Sequence, residues 1–214
     1  MAHPILITGA SRGLGAAFAE ALAPEAHLML VARTVGALEE IDDLITARGG
    51  QATLAPLDIT DDGAMQHLCR SIHERWGGLQ AWIHTAVHAA PLAPAEHVQP
   101  KDLENSVATN VVATARLIRY VSPLLYAEAS ALFVDDPRGG ESFYGAYGAT
   151  KAAQIALAKS WQAETAKIGP KVRVVAARPM PTAARARFHP GEDRSALTTC
   201  ADEAQRLIAL WRTS

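Results

Sequence analysis

The chain has 214 residues, which is long enough to bury one well-formed core. Its formal net charge is −2 and its sequence pI is near 6.4. Its lysines and arginines are scattered without a basic excess, which argues against nucleic acid as a partner. No apolar segment is long enough to span a membrane, and the amino terminus lacks the basic flank of a signal peptide. We therefore expect one cytoplasmic domain over residues 1–214 that binds no membrane.

Short apolar runs alternate with longer amphipathic segments along the chain. The runs interpreted as strands are PILIT, HLMLVA, QATLAPL, QAWIH, SALFV and KVRVVAA. Helix-like patterns follow them near residues 13–23, 35–48, 61–75, 100–125, 146–168 and 199–212. This alternation predicts an α/β fold with a doubly wound parallel sheet of six strands, covered by helices on both faces.

The alternation breaks at residues 178–198, which are rich in proline and arginine and show no clear period. We interpret this segment as a functional loop that contacts substrate. Arg185, Arg187 and His189 are candidate anion contacts within it, although a solvated basic loop is the preferred interpretation. Cys69 and Cys200 lie far apart in helix-like segments, which indicates reduced structural thiols rather than a disulfide or a metal clip.

A glycine-rich loop connects the first strand to the first helix. It reads TGASRGLG, from Thr8 to Gly15. Gly9 allows the tight turn, Gly13 lets the backbone approach a pyrophosphate, and Gly15 lets the helix pack closely. Placement between a first strand and a first helix, whose N-terminus would face the anion, indicates a dinucleotide site rather than an ordinary turn.

The end of the second strand should show which dinucleotide binds, because a carboxylate there would bind the ribose hydroxyl of NAD. The chain has Arg33 at that place and Arg12 inside the glycine loop. Two guanidinium groups can clamp a 2′-phosphate, which favours NADP(H) over NAD(H), with two solvated arginines as the alternative. Asp58, just past the third strand, either accepts the amino group of adenine or caps the following helix.

The stretch YGAYGATK, from Tyr144 to Lys151, carries two tyrosines and one lysine. Residues four apart share a helix face, so Lys151 should meet Tyr147, whereas Tyr144 should point elsewhere. An ammonium beside a phenol favours the phenolate and lowers the tyrosine pKa towards the range of acid–base catalysis. Taken alone, this spacing is common on helices and indicates little.

Taken in order, TGASRGLG, Asp58, Asn110 in VATNVVAT, and YGATK resemble the short-chain dehydrogenase/reductase family over nearly the whole chain. The resemblance implies a Rossmann-like fold with Tyr147 as the acid/base for hydride transfer. It implies that Lys151 lowers the tyrosine pKa and holds the nicotinamide ribose, and that Asn110 holds a proton-relay water. Further cofactor contacts are implied at Ser11, Leu14, Ile59, Thr85, Ala86 and Pro179.

The chain departs from the family pattern after the fifth strand. The serine expected there, which would bind the reacting carbonyl oxygen, is replaced by Asp135 or Asp136. Ser142, the nearest hydroxyl, lies too close to Tyr147 in sequence to take its place. We include Asp136 in the catalytic set, with Asp135 as the alternative. An ionised aspartate beside the phenol would raise the tyrosine pKa and oppose carbonyl reduction at neutral pH.

Other departures lie in the loop after the fourth strand and near the end of the chain. IHTAV stands in place of an Asn-Asn-Ala-Gly loop, so His84 replaces an amide and Val87 adds bulk near the cofactor. His84 and His88 lack an obvious third ligand, so no metal site is predicted. Met180 follows Pro179 where a glycine is expected.

The family's usual last strand and glycine-rich tail are missing from the sequence. We therefore expect a homodimer through the helices near 100–125 and 146–168, without a tetramer built on the missing strand. The sequence thus predicts an NADP(H)-dependent oxidoreductase acting on a small carbonyl or alcohol. A catalytically impaired nucleotide-binding sensor or partner protein of the same fold is the alternative.

Overall fold

The computed structural model describes residues 3–213, which form a six-stranded sheet covered by helices. The strands are β1 (Ile5–Thr8), β2 (His27–Ala32), β3 (Gln51–Pro56), β4 (Leu79–His84), β5 (Leu125–Asp135) and β6 (Lys171–Ala176). They lie in the order β3-β2-β1-β4-β5-β6, and each neighbouring pair is parallel. The predicted doubly wound α/β fold is confirmed.

Eight α-helices accompany the strands in the described part of the chain. They are α1 (Gly13–Leu22), α2 (Val35–Ala47), α3 (Asp62–Trp76), α4 (Pro100–Ser106), α5 (Thr114–Val121), α6 (Gly145–Thr165), α7 (Ala183–Phe188) and α8 (Cys200–Thr213). No helix among residues 3–213 combines the length and the apolar character needed to cross a membrane.

Two hydrophobic cores sandwich the sheet, because successive strand side chains point to opposite faces. Ile5 and Ile7 of β1 pack in one core together with residues of α1, α2 and α8. Leu6 of the same strand packs in the other core, with residues of α3, α5 and α6. The strands read as nearly continuous apolar runs because both of their faces are buried.

The sequence predicts one helix near 100–125, but the structure divides this segment. After α4, residues Val107–Ala113 form a π-helical stretch, α5 follows, and a 3₁₀ turn at Ser122–Leu124 leads into β5. A π-turn widens a helix locally without a proline or glycine to mark it, so the sequence pattern does not reveal it. The next strand also begins earlier than predicted, at Leu125 rather than at the SALFV run.

The segment 178–198 is not wholly irregular, because it contains the short helix α7. Thr182 caps this helix, since its Oγ1 accepts the N–H of Arg185 at 3.2 Å. A helix of about two turns is too short for its periodicity to be detected in the sequence.

Candidate active site

The glycine loop lies between β1 and α1, where the backbone is too close to its neighbours for side chains. Gly9 has a φ of 88° and Gly13 a φ of 57°, values that favour glycine. A Cβ at Gly9 would lie 2.6 Å from the nitrogen of Ala86, and one at Gly15 would lie 2.2 Å from the carbonyl oxygen of Gly9. The loop after β4 and the start of α1 therefore both pack directly on this turn.

The N-terminus of α1 is open to an anion. Arg12 occupies the N-cap position, and a guanidinium has no lone pair to accept the first N–H groups of the helix. The Oγ1 of Thr85 donates to the carbonyl of Thr8 at 2.9 Å, which ties the loop after β4 to the end of β1. A tight glycine turn and free helix amides fit the pyrophosphate of a dinucleotide.

The other predicted cofactor contacts differ in how deeply their side chains are buried. Leu14 and Ile59 are buried in the two hydrophobic cores, so their side chains serve packing. Ser11 and Ala86 are partly exposed at the loop, and Pro179 is exposed.

Arg33 stands beside Asp58 at the ends of β2 and β3. Its Nη1 lies 3.8 Å from Oδ2 of Asp58, and both side chains are open to solvent. The other oxygen of Asp58 accepts the N–H and the hydroxyl of Thr60, at 2.9 and 2.8 Å. Asp61, not Asp58, caps α3, since its Oδ1 accepts a first-turn N–H at 3.0 Å. The capping role considered for Asp58 is therefore wrong.

Tyr147 lies in the first turn of α6 and is buried. Its hydroxyl donates a hydrogen bond to Oδ2 of Asp136 at 3.0 Å, so Asp136 rather than Asp135 bonds the phenol. Burial raises the pKa of Tyr147 well above its ordinary value, and the charge and hydrogen bond of Asp136 raise it further. The nearby guanidinium of Arg138 opposes this shift.

Lys151 lies one helical turn after Tyr147 and is buried. Its Nζ donates to Oε1 of Gln154 at 2.6 Å. Burial lowers the pKa of Lys151 to about 8, although the charges of Asp135 and Asp136 act in the opposite direction. In this arrangement the ammonium of Lys151 donates to Gln154 inside the protein. The pKa of Tyr147 is raised, whereas the sequence predicts that Lys151 lowers it.

Asn110 lies in the π-helical stretch and clamps the loop after β4 against α6. Its Oδ1 accepts the N–H of His88 at 2.7 Å, and its Nδ2 donates to the carbonyl of His88 at 3.0 Å. The same Nδ2 donates to Oγ1 of Thr150 at 3.0 Å. Asn110 is fully buried, so these bonds hold the segment that borders both the glycine loop and Tyr147.

Tyr144 belongs to the same site, contrary to the expectation that it points elsewhere. It precedes α6 with a φ of −83° and a ψ of 12°, so helical spacing does not govern its direction. Its ring centroid lies 6.3 Å from that of Tyr147. Arg138 connects the two tyrosines. Its Nη1 donates to Oη of Tyr144 at 2.5 Å. Its Nε lies 3.1 Å from Oδ1 of Asp136, the carboxylate that accepts from Tyr147.

The end of α7 covers this cluster. The ring of Phe188 lies 4.9 Å from that of Tyr147 and 5.4 Å from that of Tyr144, measured between centroids. Nε2 of His189 lies 2.8 Å from Nη1 of Arg138 and 3.0 Å from Oη of Tyr144. Partly buried apolar side chains complete the wall, namely Val87, Ala89 and Leu92.

Arg185, Arg187 and His189 of segment 178–198 all make hydrogen bonds within the protein, although Arg187 is also exposed as a solvated basic loop would require. Arg185 forms two hydrogen bonds to the carboxylate of Glu192, at 2.6 and 2.5 Å. Arg187, although exposed, donates to the carbonyl of Ala89 at 2.6 Å. The bonds of Arg187 and His189 hold α7 against the tyrosine cluster, whereas those of Arg185 tie α7 to the residues that follow it.

Sequence reasoning missed Arg138, Phe188 and Gln154. Arg138 lies in the loop after β5 and Phe188 at the end of the short helix α7, and spacing in the sequence gives no signal for either contact. Gln154 could have been found, because it follows Lys151 by three residues and therefore shares its helix face.

Cys69 and Cys200 are both free thiols, as predicted. Residues 3–213 contain no group of three or more His, Cys, Asp or Glu side chains arranged to hold a metal ion.

The family model for short chain dehydrogenases matches residues 3–193, and the chain belongs to this family. A fatty acyl-CoA reductase from Acinetobacter baylyi is 32% identical over 168 residues, which cover 76% of this chain and 57% of the relative. A sorbitol dehydrogenase from Cereibacter sphaeroides is 29% identical over 182 residues, which cover 80% and 68% of the two chains. The chain thus spans 57% of the length of the fatty acyl-CoA reductases that it matches.

Solved structures show the same architecture. An oxidoreductase from Escherichia coli has a TM-score of 0.91 at 27% identity, covering 99% of this chain and 90% of that one. A protein from Shigella flexneri solved with NADP has a TM-score of 0.88 at 27% identity, covering 94% and 87%. A protein from E. coli solved with NADPH has a TM-score of 0.87 at 27% identity, covering 98% and 89%.

The buried ammonium of Lys151 predicts a measurable pH dependence of stability. Its pKa falls from 10.5 to about 8 on folding, so the unfolded chain binds more protons between these values. The free energy of unfolding should therefore rise by about 2–3 kcal/mol from Lys151 between pH 7 and 10, given about 1.4 kcal/mol per pKa unit. Lys151→Met should lose this rise, as measured by urea unfolding of the cofactor-free protein.

Lys159→Met on the same helix is the matched control, because Lys159 is exposed. It should retain the wild-type pH dependence. Identical pH profiles for wild type and Lys151→Met would show that the ammonium is not buried as described.

Proposed function

We propose that the protein is an NADP(H)-dependent oxidoreductase that transfers a hydride between nicotinamide and a small carbonyl or alcohol, with Tyr147 as the acid/base. The observation that carries this proposal is a buried phenol, fixed by Asp136, with Lys151 one helical turn away. The open N-terminus of α1 supports the binding of a dinucleotide beside it. The NADP and NADPH complexes of related proteins support the type of cofactor.

Each residue of the site has a distinct task in this proposal. The nicotinamide, when bound, supplies or accepts the hydride. The amides at the start of α1 hold the pyrophosphate, and Lys151 offers its ammonium to the nicotinamide ribose. Tyr147 holds a proton on its hydroxyl and donates it to the substrate oxygen during reduction. Asn110 keeps the neighbouring loop in place and is the candidate for holding a relay water.

The electrostatics of the site favour reduction over oxidation. The raised pKa of Tyr147 keeps its phenol protonated near neutral pH, so it is ready to act as an acid and poor as a base. The charge of Asp136 acts against reduction, because it destabilises the negative charge that develops on a substrate oxygen. The guanidinium of Arg138, 3.1 Å from Asp136, offsets part of that repulsion.

A non-catalytic nucleotide sensor of the same fold is the second candidate. Two observations favour it: the tyrosine proton is already donated to Asp136, and the ring of Phe188 covers Tyr147. In that case the cofactor would bind without turnover, and α7 would report on its presence.

Substitutions at Asp136 and Tyr147 distinguish the two candidates. Asp136→Ser should raise carbonyl reductase activity above pH 8, because it removes the charge that repels the oxyanion. Tyr147→Phe should lower activity by about 10²–10⁴-fold, the usual contribution of a general acid. Consumption of NADPH with aldehydes, ketones and imines from pH 6 to 10 measures both effects.

Ser142→Ala is the control, because Ser142 is exposed near the site. Wild-type rates in Tyr147→Phe on every accepted substrate would refute the role of Tyr147. Binding of NADPH without turnover, even by Asp136→Ser, would establish the sensor instead.

Preference for NADP(H) follows from the exposed guanidinium groups of Arg12 and Arg33. Arg33→Ala should lose about 1–3 kcal/mol of the preference for NADPH over NADH, as expected for a charge-assisted contact to phosphate. Fluorescence titration of both cofactors measures this difference, and Arg70→Ala, an exposed arginine on α3, should leave it unchanged. Equal affinities of the wild type for the two cofactors would contradict the preference.

We infer a homodimer formed through the segment from α4 to α5 together with α6. Three apolar side chains of this segment are exposed: Leu103, Val107 and Val112. Val112→Asp should shift the mass in light scattering at micromolar concentration from dimer to monomer, because it places a charge in the apolar contact. Val35→Asp on α2 should leave the dimer intact. A wild-type tetramer or monomer would contradict the inference.

A further inference from the structure

A chain of buried polar side chains extends from Lys151 into the protein interior. Gln154, His84, Thr114 and Thr8 are each at most 1% exposed. They lie on α6, β4, α5 and β1, so this series of side chains runs from the candidate site to Thr8, the first residue of the glycine loop. Buried polar groups are costly unless each finds a partner, so the direction of every hydrogen bond can be worked out.

The hydrogen-bond directions can be assigned starting from Lys151, because its ammonium has only donors. Its Nζ donates to Oε1 of Gln154 at 2.6 Å, which fixes the orientation of that amide. Nε2 of Gln154 therefore faces inward, where it lies 3.0 Å from Oγ1 of Thr114 and 3.2 Å from Nε2 of His84.

Nε2 of His84 also lies 3.0 Å from Oγ1 of Thr114, a hydroxyl that can donate or accept. We assign the neutral ring with its proton on Nδ1, because its Nε2 can then accept from the amide of Gln154. The Nδ1 proton is donated to Oγ1 of Thr8 at 2.7 Å. That oxygen also accepts from Nε1 of Trp82 at 3.1 Å, and the Thr8 hydroxyl donates to the carbonyl of Ile83 at 3.4 Å. A neutral ring agrees with its surroundings, because burial and the charge of Lys151 lower the pKa of His84 to about 3.

The orientation of the Gln154 amide is therefore fixed, with its oxygen towards Lys151 and its nitrogen towards Thr114 and His84. A flipped amide would point its N–H groups at the ammonium of Lys151. Two donors would then face each other in a buried space, which is unfavourable. The interior thus presents a carbonyl oxygen, and no competing donor, to the ammonium.

We propose that Gln154 is a positioning residue for Lys151, and that its carbonyl, oriented by Thr114 and His84, holds the amine in its protonated form at the site. The proposal rests on the proposed function, in which the ammonium of Lys151 serves the cofactor ribose. The placement follows from the helix, because Tyr147, Lys151 and Gln154 share one face of α6 at spacings of four and three residues.

Two substitutions at Gln154 should change Lys151 in opposite directions. Gln154→Met keeps a side chain of similar size but removes the acceptor, so the pKa of Lys151 should fall. Gln154→Glu adds a negative charge at the same place, so the pKa of Lys151 should rise. A residue that merely fills space would not produce shifts of opposite sign.

The first readout is the cofactor-free protein. Urea unfolding from pH 6 to 11 of each variant, with and without Lys151→Met, isolates the contribution of Lys151 to stability. The pH at which this contribution begins to change should move down by about one unit in Gln154→Met and up by a similar amount in Gln154→Glu, as hydrogen bonds and charges commonly shift pKa values.

The second readout is the pH profile of NADPH-dependent reduction. If protonated Lys151 is needed, activity falls as the pH rises through its pKa, and this limb should move in the same two directions. Gln162→Leu is the control, because Gln162 lies on the same helix and donates to the carbonyl of Val172 at 2.8 Å. It should move neither readout.

The outcomes separate this proposal from the proposed function. Shifts of opposite sign in unfolding support the role of Gln154 even when no substrate is reduced, a result that refutes only the enzyme. Shifts of the same sign, or none, overturn the role of Gln154 even when the protein is an active reductase. Should Gln154→Glu not fold, an unchanged unfolding profile in Gln154→Met overturns the proposal, and a downward shift supports it.

Discussion

The in-register ends of three parallel strands are the constraint on which the site depends. Thr8 of β1 pairs with His84 of β4, and His84 pairs with Phe133 of β5. Because carboxyl ends of parallel strands meet at one edge, this register brings the glycine loop, the loop after β4 and Asp136 together. The helix α6 then needs only to start near that edge for Tyr147 to reach the carboxylate. A change of strand register would separate the cofactor loop from the phenol.

The fold and the cofactor loop could be predicted because their signals are local. Apolar runs mark strands buried on both faces, and the glycines of TGASRGLG are required by positive φ at Gly9 and Gly13 and by close packing at Gly15. The pair of Tyr147 and Asp136 could also be anticipated, because the residue after a strand lies at a known edge. These inferences need only neighbours in sequence or a fixed family order.

The remainder of the site depends on contacts that the sequence pattern does not encode. Tyr144 precedes α6 with a non-helical backbone, so the four-residue rule fails for it. Arg138 and His189 meet there although 51 residues separate them, and only the packing of α7 brings them together. Lys151 and Gln154 have helical spacing, but the orientation of the Gln154 amide depends on Thr114 of α5 and His84 of β4. Long-range hydrogen bonds of this kind follow from the folded arrangement and not from periodicity.

An internal acceptor constrains which substrates the proposed reaction can use. In the proposed reduction, a substrate oxygen must take the proton that Tyr147 now donates to Asp136 at 3.0 Å. A hydrogen bond to a charged group contributes about 1.5–3 kcal/mol, so a weak acceptor would not displace the carboxylate. Arg138 lessens this competition, because its bond to Asp136 occupies the other carboxylate oxygen and reduces the charge facing the phenol. The site should therefore select strongly polarised carbonyl or imine groups, and small apolar substituents that fit against Phe188 and Val87 would provide the remaining affinity.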